Sequence, residues 1–240
     1  LGLCYIAAYT PSHWEVEIQD EQVKELDFKD ADLVGITATV GSIVRGYEIS
    51  KIYKEKGIPV IMGGVQPSTI PEEALKYCDT VVLGDAEPVW EEIISDFEKS
   101  QLKSQYTGAI EDLAGLKLPK TDLIDKDMYL FGSINTSRGC PFRCNFCAIH
   151  EFYHHTYRLR PIEEVITELK TLTHKVLFFT DGNLYGYNES ARKRFIDLCK
   201  RMAEERKKGS FKFKTWMAYV PTGILSDNEA LYWAKKAGCG

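Results

Sequence analysis

Cys140-Pro141-Phe142-Arg143-Cys144-Asn145-Phe146-Cys147 gathers three of the chain's seven cysteines into eight residues. The run follows Gly139, and Ser133–Ser137 before it reads as a strand. After it the pattern alternates between helix and strand. Pro161–Leu172 reads as a helix, with Ile162, Val165, Ile166 and Leu169 on one face. Lys175–Thr180 carries Val-Leu-Phe-Phe, the signature of a buried strand. Asn188–Lys208 reads as a long amphipathic helix, Phe211–Val220 as a strand and Asp227–Ala237 as a further helix. About three strand–helix units follow one another, which predicts part of a parallel barrel. The cysteines themselves are soft donors suited to iron–sulfur or zinc. Their odd number and clustering argue against a disulfide framework and for a reducing compartment.

Outward from the cluster, the first ~100 residues show the same rhythm in a different form. Trp14–Ile18, Leu33–Ala38, Pro59–Met62 and Thr80–Leu83 read as strands rich in Val and Ile. Ser42–Lys56 reads as a helix, with Ile43, Tyr47, Ile49, Ile52 and Tyr53 mostly at helical spacing and Gly57 as its stop. Pro88–Lys99 reads as another, since proline suits a first helical turn. A helix over Leu1–Tyr9 precedes the first strand, whereas a doubly wound sheet should begin with a strand. The chain is therefore expected to be a fragment, with that first strand lost. Residues from about 99 to 131 include Gly108, Gly115 and Pro119 and read as a connecting segment. The expected architecture is α/β: a doubly wound domain over 1–98, a connector over 99–131 and half a barrel over 132–240.

Composition sets further bounds. The 240 residues are 44% hydrophobic with a net charge of -5, which excludes a disordered tail and disfavours a sequence-independent nucleic-acid binder. No stretch approaches the ~20 apolar residues of a membrane helix. No basic leader precedes the apolar start, so a signal peptide is a poor reading and a cytoplasmic location is expected.

The cysteine run resembles the signature of the radical S-adenosylmethionine (SAM) superfamily, in which an aromatic residue stands just before the third cysteine, as Phe146 does here. The resemblance implies that Cys140, Cys144 and Cys147 hold a [4Fe-4S] cluster whose fourth iron chelates SAM. It implies that Phe146 lies near the adenine. It places the SAM amino group at the end of the next strand, here Asp181-Gly182-Asn183. The alternative is a structural zinc knuckle with His150 as fourth ligand. Arg158 and Arg160 are candidate partners for the SAM carboxylate or a substrate anion. His150, His154 and His155 lie in the same loop and are left without a role.

Three stretches of the first domain resemble a cobalamin-binding domain: Ala31–Thr39, Pro59–Pro67 and Val81–Pro88. Each carries residues to the C-terminal end of a predicted strand, where such sheets bind ligands. The resemblance implies contacts from Thr37, Thr39, Gly63, Gly64, Gln66, Gly84 and Glu87. Asp20-Glu21-Gln22-Val23-Lys24 lacks the histidine and glycine of the cobalt-ligating run found in mutases, so no lower histidine ligand is expected from this loop. Many relatives have histidine where this chain has Gln66.

The two resemblances together imply a cobalamin-dependent radical SAM enzyme that forms a 5′-deoxyadenosyl radical, with methyl transfer to an unactivated carbon as the leading reaction. A radical SAM cyclase, oxidoreductase or carbon–carbon bond-forming enzyme is the alternative, and a non-catalytic metal- or cobalamin-binding module a third. A tRNA methylthiotransferase is disfavoured, because only Cys4 and Cys78 lie in the first domain. The expected partners are a small-molecule, lipid, tetrapyrrole or peptide substrate and an electron donor such as flavodoxin or ferredoxin, with no nucleic acid.

Overall fold

Val60, Ile61 and Met62 are consecutive apolar residues, and all three are buried. A strand without a polar face has to be covered on both sides, the condition of an inner strand in a parallel α/β sheet. The computed structural model, which describes residues 1–240, has this arrangement in the first of its two units, Leu1–Ile110 with Lys117–Ile124. Strands β1 (Val34–Thr37), β2 (Val60–Gly63), β3 (Thr80–Gly84) and β4 (Gln105–Gly108) lie in that order, each pair parallel. Helices α1 (Gly2–Tyr9), α2 (Ile43–Glu55), α3 (Val65–Thr69), α4 (Pro71–Ala74) and α5 (Trp90–Glu98) complete the unit.

The two-residue period of the strands sorts the helices between the faces. Val60, Met62 and Val81 pack with Ile43 and Tyr47 of α2 and Ala74 of α4. Ile61 and Val82 point the other way, to Trp90, Ile93 and Ile94 of α5 and to Ile6 and Tyr9 of α1. The sheet is doubly wound, as expected.

Two expectations fail here. Trp14–Ile18 forms no strand. A strand exists only through a ladder partner, and this segment has none. Its side chains are engaged elsewhere: Trp14 packs edge-on to Phe97 and donates to Glu98 Oε1 at 2.9 Å, and Glu17 pairs with Lys29. Conversely, the segment expected as a connector over 99–131 contains β4, the fourth strand of the sheet. Only Tyr106 and Gly108 of β4 are buried, and an edge strand with one large apolar side chain leaves almost no pattern to read.

The second unit comprises Glu111–Leu116 and Asp125–Gly240. Its parallel sheet has the order β5 (Gly132–Ile134), β8 (Val176–Phe179), β9 (Thr215–Ala218). A separate antiparallel pair joins β6 (Ser137–Gly139) to β7 (Tyr157–Leu159). Ser133–Ser137, expected as one strand, is thus split, because Asn135 and Thr136 leave the ladder between β5 and β6. A short helix α6 (Ile149–Phe152) lies between β6 and β7. Helices α7 (Ile162–Thr171), α8 (Glu189–Lys207) and α9 (Asn228–Ala237) share one core with the sheet. Val165, Ile166 and Leu169 meet Leu177, Phe179, Phe195, Met202 and Trp216 in it. Asn188 caps α8 by accepting from Ala191 N at 2.9 Å, and Asp227 caps α9 through Ala230 N at 3.1 Å. No helix is long and apolar enough to cross a membrane.

Arg160 and Glu168 form an ion pair at 2.6 Å, with both side chains 1% exposed. Removing one partner of such a pair strands the other charge in the core. Glu168→Ala is therefore expected to lower unfolding stability by about 3–5 kcal/mol in urea titrations. A loss below about 1 kcal/mol would show the pair to be worth no more than a solvated one.

Candidate cluster and cofactor sites

The loop that carries the three clustered cysteines is fixed at its root by buried polar groups. Where Asn135 and Thr136 leave the ladder, Asp181, just beyond β8, supplies the missing acceptor. Thr136 donates to it from N at 3.1 Å and from Oγ1 at 2.9 Å, and Ser137 donates from Oγ. Arg194 of α8 donates to the carbonyls of Thr136 at 3.0 Å and Arg160 at 2.8 Å. Arg160 Nη1 donates to Asn135 O at 2.7 Å. Burial pushes the Asp181 carboxyl above its ordinary range, opposed by the Ser137 and Thr136 donors and by Arg194. Burial pushes the Arg194 guanidinium down, and Asp181 works against that shift.

Strand β6 leads from this root to Cys140, and β7 returns from the loop with Gly139 opposite Tyr157. Gly139 has φ +87°, and a Cβ there would lie 2.0 Å from Thr156 O. Only glycine fits. At the end of β8, a Cβ on Gly182 would stand 3.3 Å from Gly139 O and 3.5 Å from the Cys140 Cβ. Tyr157 Oη donates to Asn183 O at 2.8 Å, and burial pushes its phenol up to about 12. The end of β8 therefore abuts the start of the cysteine loop.

The thiols on this loop differ from the rest. Cys144 is exposed, and Cys140 and Cys147 are half-buried. Cys147 N donates to Cys144 O at 3.0 Å, closing a turn between two of them. The Cys140 thiol is pushed up first by burial and then by Cys147 and Cys144, while a main-chain hydrogen bond from Phe142 pulls it down. Two neighbouring thiols that oppose the ionisation of Cys140 fit a cationic iron–sulfur or zinc centre, which would remove that opposition. By contrast Cys4, Cys78 and Cys199 are buried, and burial pushes the Cys78 thiol to about 11. Buried thiols of this kind are inert packing groups. Phe146 is 93% exposed, so its ring is free to stack on a ligand.

The residues expected at the SAM amino group divide. Gly182 stands against the cysteine loop, but Asp181 is 1% exposed and committed to Thr136 and Ser137. Asn183 Nδ2 donates to Gly186 O at 3.1 Å, and its Oδ1 accepts from Gly186 N at 2.9 Å. Both side chains shape the turn from within. Arg160 is likewise taken by Glu168, and the Arg158 guanidinium lies 5.3 Å from the Tyr153 ring centroid. Arg194, Thr136 and Glu168 gave no sequence signal, because each reads as an ordinary helix or loop polar residue.

In the first unit the expected cofactor residues collect at the C-terminal edge of the sheet. Thr37 is the register partner of Gly63. Gly64 has φ +99°, and a Cβ there would lie 2.7 Å from Ala38 O and 2.9 Å from Thr37 Oγ1. Gln66 N donates to Ala38 O, and Thr39 Oγ1 stands 3.3 Å from Ser42 Oγ. Gly84 and the buried Glu87 follow β3, with Gly84 N donating to Ser68 Oγ. Thr37 and Thr39 are exposed, as are Val40 and Val44 nearby in sequence. Exposed hydroxyls and uncovered apolar side chains within a few residues of one another in the sequence fit a large, partly apolar ligand such as a corrinoid. Neither valine was anticipated there, since Val40 just after β1 and Val44 on α2 each read as core residues.

The Gly139 geometry yields a test. Gly139→Ala carries a φ penalty of more than about 1 kcal/mol before any contact with Thr156. It is expected to lose most of the iron retained after anaerobic reconstitution, with far-UV circular dichroism unchanged. Full iron content in this variant would show that the loop does not depend on that turn.

Comparison with known proteins supplies the family. Residues 1–94 match the model of the B12 binding domain and residues 134–239 that of the radical SAM superfamily. An uncharacterized methyltransferase of Pyrococcus horikoshii is 30% identical, over 85% of this chain and 52% of its own length. Bacteriochlorophyllide d C-8(2)-methyltransferase of Chlorobaculum tepidum is 28% identical, over 100% of this chain and 55% of its own. The radical SAM methyltransferase TsrM of Kitasatospora setae, solved with cobalamin and a [4Fe-4S] cluster bound, superposes with a TM-score of 0.67 at 17% identity. That match covers 88% of this chain and 49% of that one and speaks to the fold alone. The chain spans about half the length of the relatives it matches. With a B12-binding domain followed by a radical SAM domain on one polypeptide, the chain belongs to the family of cobalamin-dependent radical SAM enzymes.

Proposed function

We propose that this chain carries the cofactor sites of a cobalamin-dependent radical SAM methyltransferase acting at an unactivated carbon. The observation that carries the reading is the three-thiol loop between β6 and β7, rigid at its root and exposed at its tip. Cys140, Cys144 and Cys147 would hold three irons of a [4Fe-4S] cluster. With that cluster and cobalamin bound, the chemistry supplied is reductive cleavage of SAM to a 5′-deoxyadenosyl radical and delivery of a methyl group.

The chain's own residues bind and orient. Phe146 offers a ring face to the adenine. Asp181 and Asn183 fix the turn at the end of β8 from inside, so the acceptor offered to the SAM amino group is main chain around Gly182. Thr37 and Thr39 offer hydroxyls to cobalamin. Gly63 and Gly64 allow the two strand ends to approach closely, and Gln66, Gly84 and Glu87 border the same edge. The electron donor is a flavodoxin or ferredoxin, and the substrate is a small molecule, lipid, tetrapyrrole or peptide. Seven free thiols support a reducing, cytoplasmic setting.

The test is metal content by mass spectrometry, after anaerobic purification and supply of iron, sulfide and hydroxocobalamin. About four irons and about one cobalt per chain are expected. Cys140→Ser, Cys144→Ser and Cys147→Ser should each lose the iron and keep the cobalt. Gly64→Val should lose most of the cobalt and keep the iron. Iron without cobalt would overturn methyl transfer from cobalamin in favour of another radical SAM reaction. Failure of the full-length, cluster-loaded protein to release 5′-deoxyadenosine from SAM under strong reductant would overturn the radical chemistry.

A further inference from the structure

His150 and Glu151 stand on α6, and His155 follows four residues after Glu151. The chain doubles back between them. His154 and His155 have φ of 51° and 58°, a left-handed conformation that residues other than glycine rarely adopt. His155 N donates to His150 O at 2.6 Å and His154 N to Glu151 O at 2.9 Å, which closes the turn.

The turn brings three side chains to one point. His150 Nε2 lies 3.4 Å and His155 Nε2 3.7 Å from Glu151 Oε1. One ligand atom from each of the three residues lies within 4.8 Å of the other two. These separations are longer than a normal N–H···O bond. They match the edge of a coordination tetrahedron, because ligand bonds of about 2.0–2.2 Å place neighbouring donors roughly 3.3–3.6 Å apart. The His150 side chain is 13% exposed, and its Nδ1 is buried without a hydrogen-bond partner. The polar engagement of that ring is therefore through Nε2, toward Glu151.

We propose that His150, Glu151 and His155 form a binding site for a divalent cation of the zinc class, separate from the three cysteines. Two imidazoles and one carboxylate suit zinc, and three protein ligands leave the fourth position to water. The ion would clip α6 to the residues entering β7. It would thereby close the distal half of the loop whose proximal half carries Cys140, Cys144 and Cys147.

The probe is Co²⁺, titrated into the full chain carrying Cys140→Ser, Cys144→Ser and Cys147→Ser, which removes competing thiolates. About one equivalent should bind with visible ligand-field bands and no sulfur-to-cobalt charge transfer, and Zn²⁺ should displace it. Adding Glu151→Gln or His155→Ala should weaken binding about tenfold or more, while His13→Ala should not. A second measurement covers a loop disturbed by the serines. Wild-type protein loaded with its cluster should retain zinc beside the iron, and His155→Ala should lose the zinc and keep the iron. Cobalt affinity and zinc content indifferent to Glu151→Gln and His155→Ala, or no uptake by either protein, would overturn the site.

Discussion

The carboxylate of Asp181 needs donors, and it finds them on the residues where the chain leaves strand β5 for β6. Burying one charge costs several kcal/mol unless partners replace the water. Here Thr136 and Ser137 supply the hydrogen bonds, and Arg194 lies close enough to oppose the shift that burial imposes on Asp181. Arg194 in turn holds the carbonyls of Thr136 and Arg160, and Arg160 is neutralised by Glu168. Two acids and two arginines balance to zero. Each element that aims the cysteine loop starts from this group: the two-residue link after β5, strand β6, the return along β7, and the end of β8.

That dependence explains what could be read from the sequence and what could not. Val60–Met62 and Leu177–Phe179 are runs of apolar residues, and that made the strands legible; the first run is buried on both faces, whereas the second buries Leu177 and Phe179 and leaves Phe178 half-buried. The spacing of Cys140, Cys144 and Cys147 was enough on its own to single out the loop as a candidate cluster site. Beta-strand β4 was hidden because its partner is β3, not its own side chains, and Tyr106 alone marks it. Trp14–Ile18 had the composition of a strand but no neighbour to pair with. Asp181 and Asn183 were legible as important but not in their orientation. An acidic residue after a strand reads alike whether it faces a ligand or a neighbouring loop, and the donors that decide it, Thr136 and Ser137, lie 45 and 44 residues away.

Glycine plays two different parts around the candidate sites. At Gly64 and Gly139 the backbone is left-handed and another main chain passes within 3 Å of the absent Cβ, so the protein itself demands glycine. At Gly182 the φ is ordinary, and a Cβ would meet only contacts of 3.3–3.5 Å. The first kind sets how sharply the chain turns into a site. The second sets how closely the end of β8 can approach Cys140, a distance a methyl group would open by a few tenths of an ångström.

A loop that presents thiols to a metal cannot also spend them on its own packing. Cys144 and Phe146 lie in the open, and between residues 140 and 148 no side chain is buried. The rigidity such a site needs therefore comes from outside it: from the Gly139 turn against Thr156, from Tyr157 bonded to Asn183, and from Gly182 pressed against Cys140. Preorganisation at the root lets the tip remain exposed without becoming shapeless. It also explains why the polar residues behind the loop are buried more deeply than the cysteines they serve. Their bonds hold without a ligand, whereas the thiols would acquire partners only with the proposed cluster bound.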